Sequence, residues 1–226
     1  MPRSHSPSDV PIIRTVSARI FQELIIIITA LGVTTPIVSS LQSNSGSIIK
    51  LLYGELSTDL IKSTLLFVLT IISAMRFYLG NLLILNINYV INDKVTSRVI
   101  WFDFGAMLIM SLFFSVMGFL TDKSDIYFEV YAGLLFVSVI WSLFTMFHIT
   151  RSDTLDKNDQ PEFVWMIVNL CTLIICVIVP RLHPGDYEFI IMYATCIANC
   201  VADIALGWKW YFPAPNNATI SPFPAK

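Results

Sequence analysis

Charged residues in this chain are so widely spaced that six stretches can each cross a bilayer, and that spacing limits the fold more than any motif does. A hydrocarbon core about 30 Å thick takes about 20 apolar residues in a helix. Leu24 to Leu41 holds no charge across eighteen residues, and Ser63 to Asn92 spans thirty with Arg76 as the sole interruption. Val99 to Thr121 admits only Asp103, and Ile126 to Thr150 only Glu129 near its start. Phe163 to Pro180 is uncharged, and Phe189 to Trp208 holds only Asp203. Backbone inside lipid must satisfy its own hydrogen bonds, which for runs of this length means helices. The sequence therefore predicts an all-α, polytopic integral membrane protein. It is read as a six-transmembrane-helix bundle with spans at about 20–41, 63–90, 99–121, 126–150, 163–180 and 187–208. A polar tail, 1–19, precedes the membrane domain 20–211, and a tail, 212–226, rich in proline follows it.

Composition agrees. Hydrophobic residues make up 55% of the chain and charged residues 13%, against about 25% charged in soluble domains. Mean hydropathy is +0.71. A net charge of −2 offers no field to attract nucleic acid. These values exclude a disordered chain, a disulfide scaffold and an ordinary soluble enzyme.

With six spans both termini share a side, together with the loops near 93–98 and 151–162. That side carries nine basic residues: Arg3, Arg14, Arg19, Lys94, Arg98, Arg151, Lys157, Lys209 and Lys226. The other carries four: Lys50, Lys62, Lys123 and Arg181. The positive-inside rule then places both termini in the cytoplasm of a plasma (inner) membrane protein. No small-residue cleavage site clearly follows the first apolar run, which reads as a span that is also the insertion signal. The triplet Asn217-Ala218-Thr219 fits a glycosylation pattern but falls on the inner side and is read as silent.

All loops are short, so function must reside in the bundle or on its faces. There is no phosphate-binding glycine loop, no GxSxG and no HExxH. The three histidines, His5, His148 and His183, are too few and too scattered for a metal site, and no cofactor is expected. Cys171 and Cys196 fall at similar depth and are expected to be able to face each other, as packing residues rather than a redox pair. Arg76-Phe-Tyr-Leu-Gly-Asn81 and Trp101-Phe-Asp-Phe-Gly105 stand out, yet neither is a motif whose chemistry can be carried over.

The informative residues are ionisable groups within spans, which face an interior and mark a pathway or a partner. Arg76 is the strongest case, because its guanidinium cannot shed its proton. It lies about 21 Å along the helix from Lys62 and about 26 Å from Asp93. Asp103 and Asp203 each sit about 8–9 Å inside the cytoplasmic end of their spans, so either is a candidate partner. Asn81 or Asn199 is expected to help satisfy the remaining donors. Polar stripes recur at helical spacing: Glu188, Thr195, Asn199 and Asp203; Trp165, Asn169, Thr172 and Cys176; Ser73, Arg76 and Gly80; Trp141, Thr145 and His148. The candidate binding or gating set is thus Arg76, Asn81, Asp103, Asn169, Asn199 and Asp203. A structural reading stands beside it, since such residues also glue helices together.

Three functions stay open at this level. A small transporter or channel-type subunit suits the polar stripes. A membrane sensor or accessory subunit suits a charged pair that holds one of two packings. An intramembrane enzyme is disfavoured, because no nucleophile–base or metal constellation is present. Besides the lipid bilayer, a homo-oligomer or a partner membrane subunit is expected. Ala194, Ala198 and Ala202 would lie either at a protomer interface or packed within the protomer.

Overall fold

The computed structural model describes residues 57–85, 97–148, 161–182 and 186–212, and the isolated positions 23, 34 and 38. Among these residues all regular structure is helical. Five long helices, α1 (Thr58–Leu85), α2 (Ser97–Phe119), α3 (Ser124–His148), α4 (Pro161–Leu182) and α5 (Asp186–Leu206), are followed by one short turn of helix, α6 (Trp208–Tyr211). Apart from those three positions, the expected first span, 20–41, lies outside the described residues, as do the tail 1–19, most of the tail 212–226 and the loop residues 93–96 and 151–160.

Helix ends follow local capping rather than the edges of the apolar runs. The hydroxyl of Ser57 accepts a hydrogen bond from Leu60 N at 3.2 Å, and Asp59 lies in the first turn. Both favour a helix start, so α1 begins five residues before the predicted 63. Pro161 opens α4 at a position where its missing N–H costs nothing. Pro180, in the last turn, deprives only the Cys176 carbonyl of a partner, and the helix continues to Leu182. Between α2 and α3 the chain reverses through Leu120 N–Met117 O at 3.1 Å and Lys123 N–Leu120 O at 2.9 Å.

The five long helices close a ring. α3 packs most extensively on α4 and next on α2, α4 packs on α5, and α5 returns to α1, which also meets α2. Aromatic and flexible side chains fill the centre. Tyr127, Tyr131, Phe114, Met107, Met110 and Met117 are almost wholly buried. The Tyr127 hydroxyl ties α3 to α1 through Thr70 Oγ1 at 2.9 Å and Leu66 O at 3.2 Å.

The exterior departs from that of a soluble bundle, and polar side chains share the interior with the apolar core. Ser73, Asn81, Asp103, Thr145, Asn169, Asn199 and Asp203 are buried, whereas Met75, Trp101, Leu112, Phe136, Phe147, Ile190 and Val201 face outward and are each more than half exposed. Apolar surface this continuous is unfavourable against water and neutral against lipid tails. All five long helices are long and apolar enough to cross a membrane.

Candidate functional site

Arg76 is the pivot. It lies on the inward face of α1, one turn after Ser73 and one turn before Gly80, and its guanidinium reaches across the ring to α4 and α5. Nε donates to Asp203 Oδ2 and Nη1 to Asn199 Oδ1. Nη2 donates to Asn169 Oδ1 at 2.8 Å. Asn199 and Asp203 are four residues apart on α5, so one turn of helix presents both oxygens to the planar fork. Asn169 is aimed from α4 by its own donation to Ser138 Oγ on α3 at 2.8 Å. Asn199 is aimed by donation to Thr172 Oγ1 at 2.8 Å, and that hydroxyl in turn donates to Val168 O at 3.0 Å. Each amide therefore turns its oxygen toward the cation and spends its nitrogen on a neighbouring helix.

Tyr211 completes the cluster from outside the spans. Its hydroxyl donates to Asp203 Oδ2 at 3.1 Å. Burial, and then the adjacent Asp203 carboxylate, raise the Tyr211 hydroxyl above the ordinary phenol range, so it stays protonated and remains a donor. Two glycines make the approach possible. A Cβ at Gly207 would stand 2.7 Å from Asp203 O and 2.8 Å from the Tyr211 ring, and one at Gly80 would stand 3.3 Å from the Tyr211 hydroxyl.

Arg76, Asn169, Asp203 and Tyr211 line a cavity of about 50 Å³ whose walls include Phe77, Asn81, Phe114, Tyr131, Trp141 and Trp165. Among the described residues, Arg76 and Asp203 are its only charged lining residues. Asn81 is buried on this wall, and its Nδ2 has no partner among the described residues; the same holds for Asp203 Oδ1 and Trp165 Nε1.

Asp103 stands apart from the other five candidates. It is buried on α2 and accepts a hydrogen bond from Trp141 Nε1 on α3 at 2.8 Å, so of the two acids it is Asp203 that takes Arg76. Removing the indole N–H deprives a buried carboxylate of a charge-assisted bond. Trp141→Phe is therefore expected to cost about 1.5–3 kcal/mol, read as a lowered melting temperature in detergent. Unchanged melting would show that the Trp141–Asp103 bond contributes nothing.

One expectation needs correction. Cys171 lies on the exposed face of α4 while Cys196 is buried, so they do not face each other; depth along a helix says nothing about rotation around it, and the neighbour of Cys196 is Cys176. Of the alanine stripe on α5, Ala194 and Ala198 are exposed and Ala202 is half-buried. His148 is exposed as well, stacked on Phe144 with ring centroids 4.2 Å apart. Among the described residues no group of three or more His, Cys, Asp or Glu is placed to hold a metal ion.

Sequence reasoning passed over Tyr211, Tyr131 and Ser138 as site residues. The signal for Tyr211 is Gly207 directly after the last span, followed by the aromatic run Trp208-Lys-Trp-Tyr-Phe212. A lone serine such as Ser138 carries no comparable signal. No protein-family model, curated protein or solved structure matches the chain, so the functional argument rests on these residues.

Proposed function

We propose that this protein is a small multi-pass membrane transporter or channel-type subunit of the plasma (inner) membrane. Its polar intramembrane site is Arg76 and Asp203 with Asn81, Asn169 and Asn199. The proposal includes a sixth span at 20–41 and cytoplasmic termini, on the strength of the nine-to-four division of basic residues.

The observation that carries it is the position of the ion pair at the edge of a cavity rather than in a dry interface. A pair that served only to fix helix register would be packed on every side and fully satisfied. Here Asn81 Nδ2 and Asp203 Oδ1 are left over on the cavity wall. Unsatisfied polar groups in an apolar slab are costly, and that cost is relieved whenever a polar solute passes through. Asp103, bonded to Trp141, belongs to the scaffold in this reading.

Purified protein in proteoliposomes is expected to pass a small polar solute faster than protein-free vesicles, and Asn199→Leu to reduce the excess rate. A panel of ions and neutral solutes that all move at the protein-free rate would overturn the transport reading. The exposed alanines of α5 favour a second reading, an accessory subunit, because small residues let a neighbouring helix approach closely. That neighbour is a second copy or a different membrane subunit, and its presence or absence in native mass spectra distinguishes this reading from a self-sufficient transporter.

A further inference from the structure

We infer that the Arg76 cavity selects small neutral solutes that both donate and accept hydrogen bonds, with a primary amide as the simplest case, and rejects ions of the same size. The inference rests on the transport reading and names its substrate class. Charge is the first argument. Among the described residues, the only charged side chains on the lining are Arg76 and Asp203, and they are bonded to each other. An ion entering would give up its hydration in an apolar slab without meeting a net opposite charge, and that loss is large. A neutral solute gives up much less.

The second argument is the pattern of unused groups. Asn81, 3% exposed, offers the two N–H donors of Nδ2, and Asp203, 1% exposed, offers the acceptor Oδ1. Their complement is a carbonyl or hydroxyl oxygen and an N–H or O–H on one molecule. An anion leaves the Asp203 oxygen facing negative charge, and a cation leaves the two donors facing positive charge. Flat apolar walls from Phe77, Phe114 and Trp141 add contact with no polar demand of their own.

Size is the third. One water needs about 10–15 Å³ of such space, so a cavity of about 50 Å³ admits a few heavy atoms. A sugar or a nucleotide does not fit.

Three probes of nearly one shape separate charge from size: acetamide, acetate and acetamidinium. With the full chain in detergent, acetamide is expected to raise the melting temperature saturably while the two ions do not. Asn81→Leu is expected to weaken that response about 3- to 10-fold, the effect of one lost hydrogen bond. Asn81→Ala, which removes the same amide with less bulk, provides the same test should Asn81→Leu fail to fold. In proteoliposomes, swelling in acetamide above the protein-free rate supports both the substrate class and transport. Flux or stabilisation by either ion in preference to acetamide leaves transport standing and overturns the substrate class. Acetamide stabilisation that Asn81→Leu weakens, without flux of any probe, supports the class and overturns transport. If no probe stabilises or moves, the cavity holds water only, and both fall.

Discussion

Asp203→Asn is expected to destabilise the bundle more than Arg76→Ala, by about 3–5 kcal/mol, or on the order of 10 °C in melting temperature. The asymmetry follows from which group is left behind. Without its carboxylate partner, Arg76 stays protonated inside the ring, where Asn169 and Asn199 offer it dipoles but no charge. Without Arg76, the carboxyl of Asp203 can bind a proton and become neutral, and the Tyr211 hydroxyl still meets it. Replacing both with leucine removes the unpaired charge altogether and should restore part of the loss. Melting temperatures of Arg76→Leu, Asp203→Leu and the double leucine variant form a cycle whose coupling is read directly. Additive effects would mean that the pair contributes no mutual stabilisation.

Gly207→Val is expected to release Tyr211 from the site. The new Cβ would meet Asp203 O, which is backbone, and the Tyr211 ring, which is held by its hydrogen bond. Neither yields without opening the turn that joins α5 to α6, and overpacking of this kind costs about 1–3 kcal/mol. Hydrogen exchange should quicken in the segment 207–212 and hardly at all in α3. Tyr211→Phe removes only the hydroxyl, so a smaller loss of about 1 kcal/mol is expected. If Gly207→Val melts and exchanges as the wild type does, the turn is looser than its geometry implies.

Much of this site was legible in the sequence because lipid makes polar residues conspicuous. Arg76 interrupts thirty residues that are otherwise uncharged, and Asn199 and Asp203 keep helical register with each other. What sequence spacing supplies is depth, and depth failed where two groups share it. Asp103 and Asp203 stand equally far inside their spans; the choice between them depends on how α2 and α5 are rotated, and on Trp141 presenting an indole N–H to Asp103. The same blindness to rotation placed Cys171 opposite Cys196. Tyr211 escaped for a different reason. It lies past the last apolar run, and only the fold-back at Gly207 brings it to Asp203. Helix starts are a separate matter from span bounds: Ser57, Asp59 and Pro161 set them through capping, which hydropathy does not record.

The helix that carries Arg76 is the longest of the five, and it packs less extensively on its neighbours than α3 or α4 does. Ile61, Val68, Met75 and Leu79 form an exposed stripe along it. Its guanidinium, by contrast, is joined to α4 and α5 at three points. Broad apolar contact weakens gradually as helices slide, whereas directional bonds fail over a short displacement. α1 is accordingly held as a bolt holds a door. Displacing it breaks these three bonds together, along with the tie of the Tyr127 hydroxyl to Thr70 Oγ1 and Leu66 O.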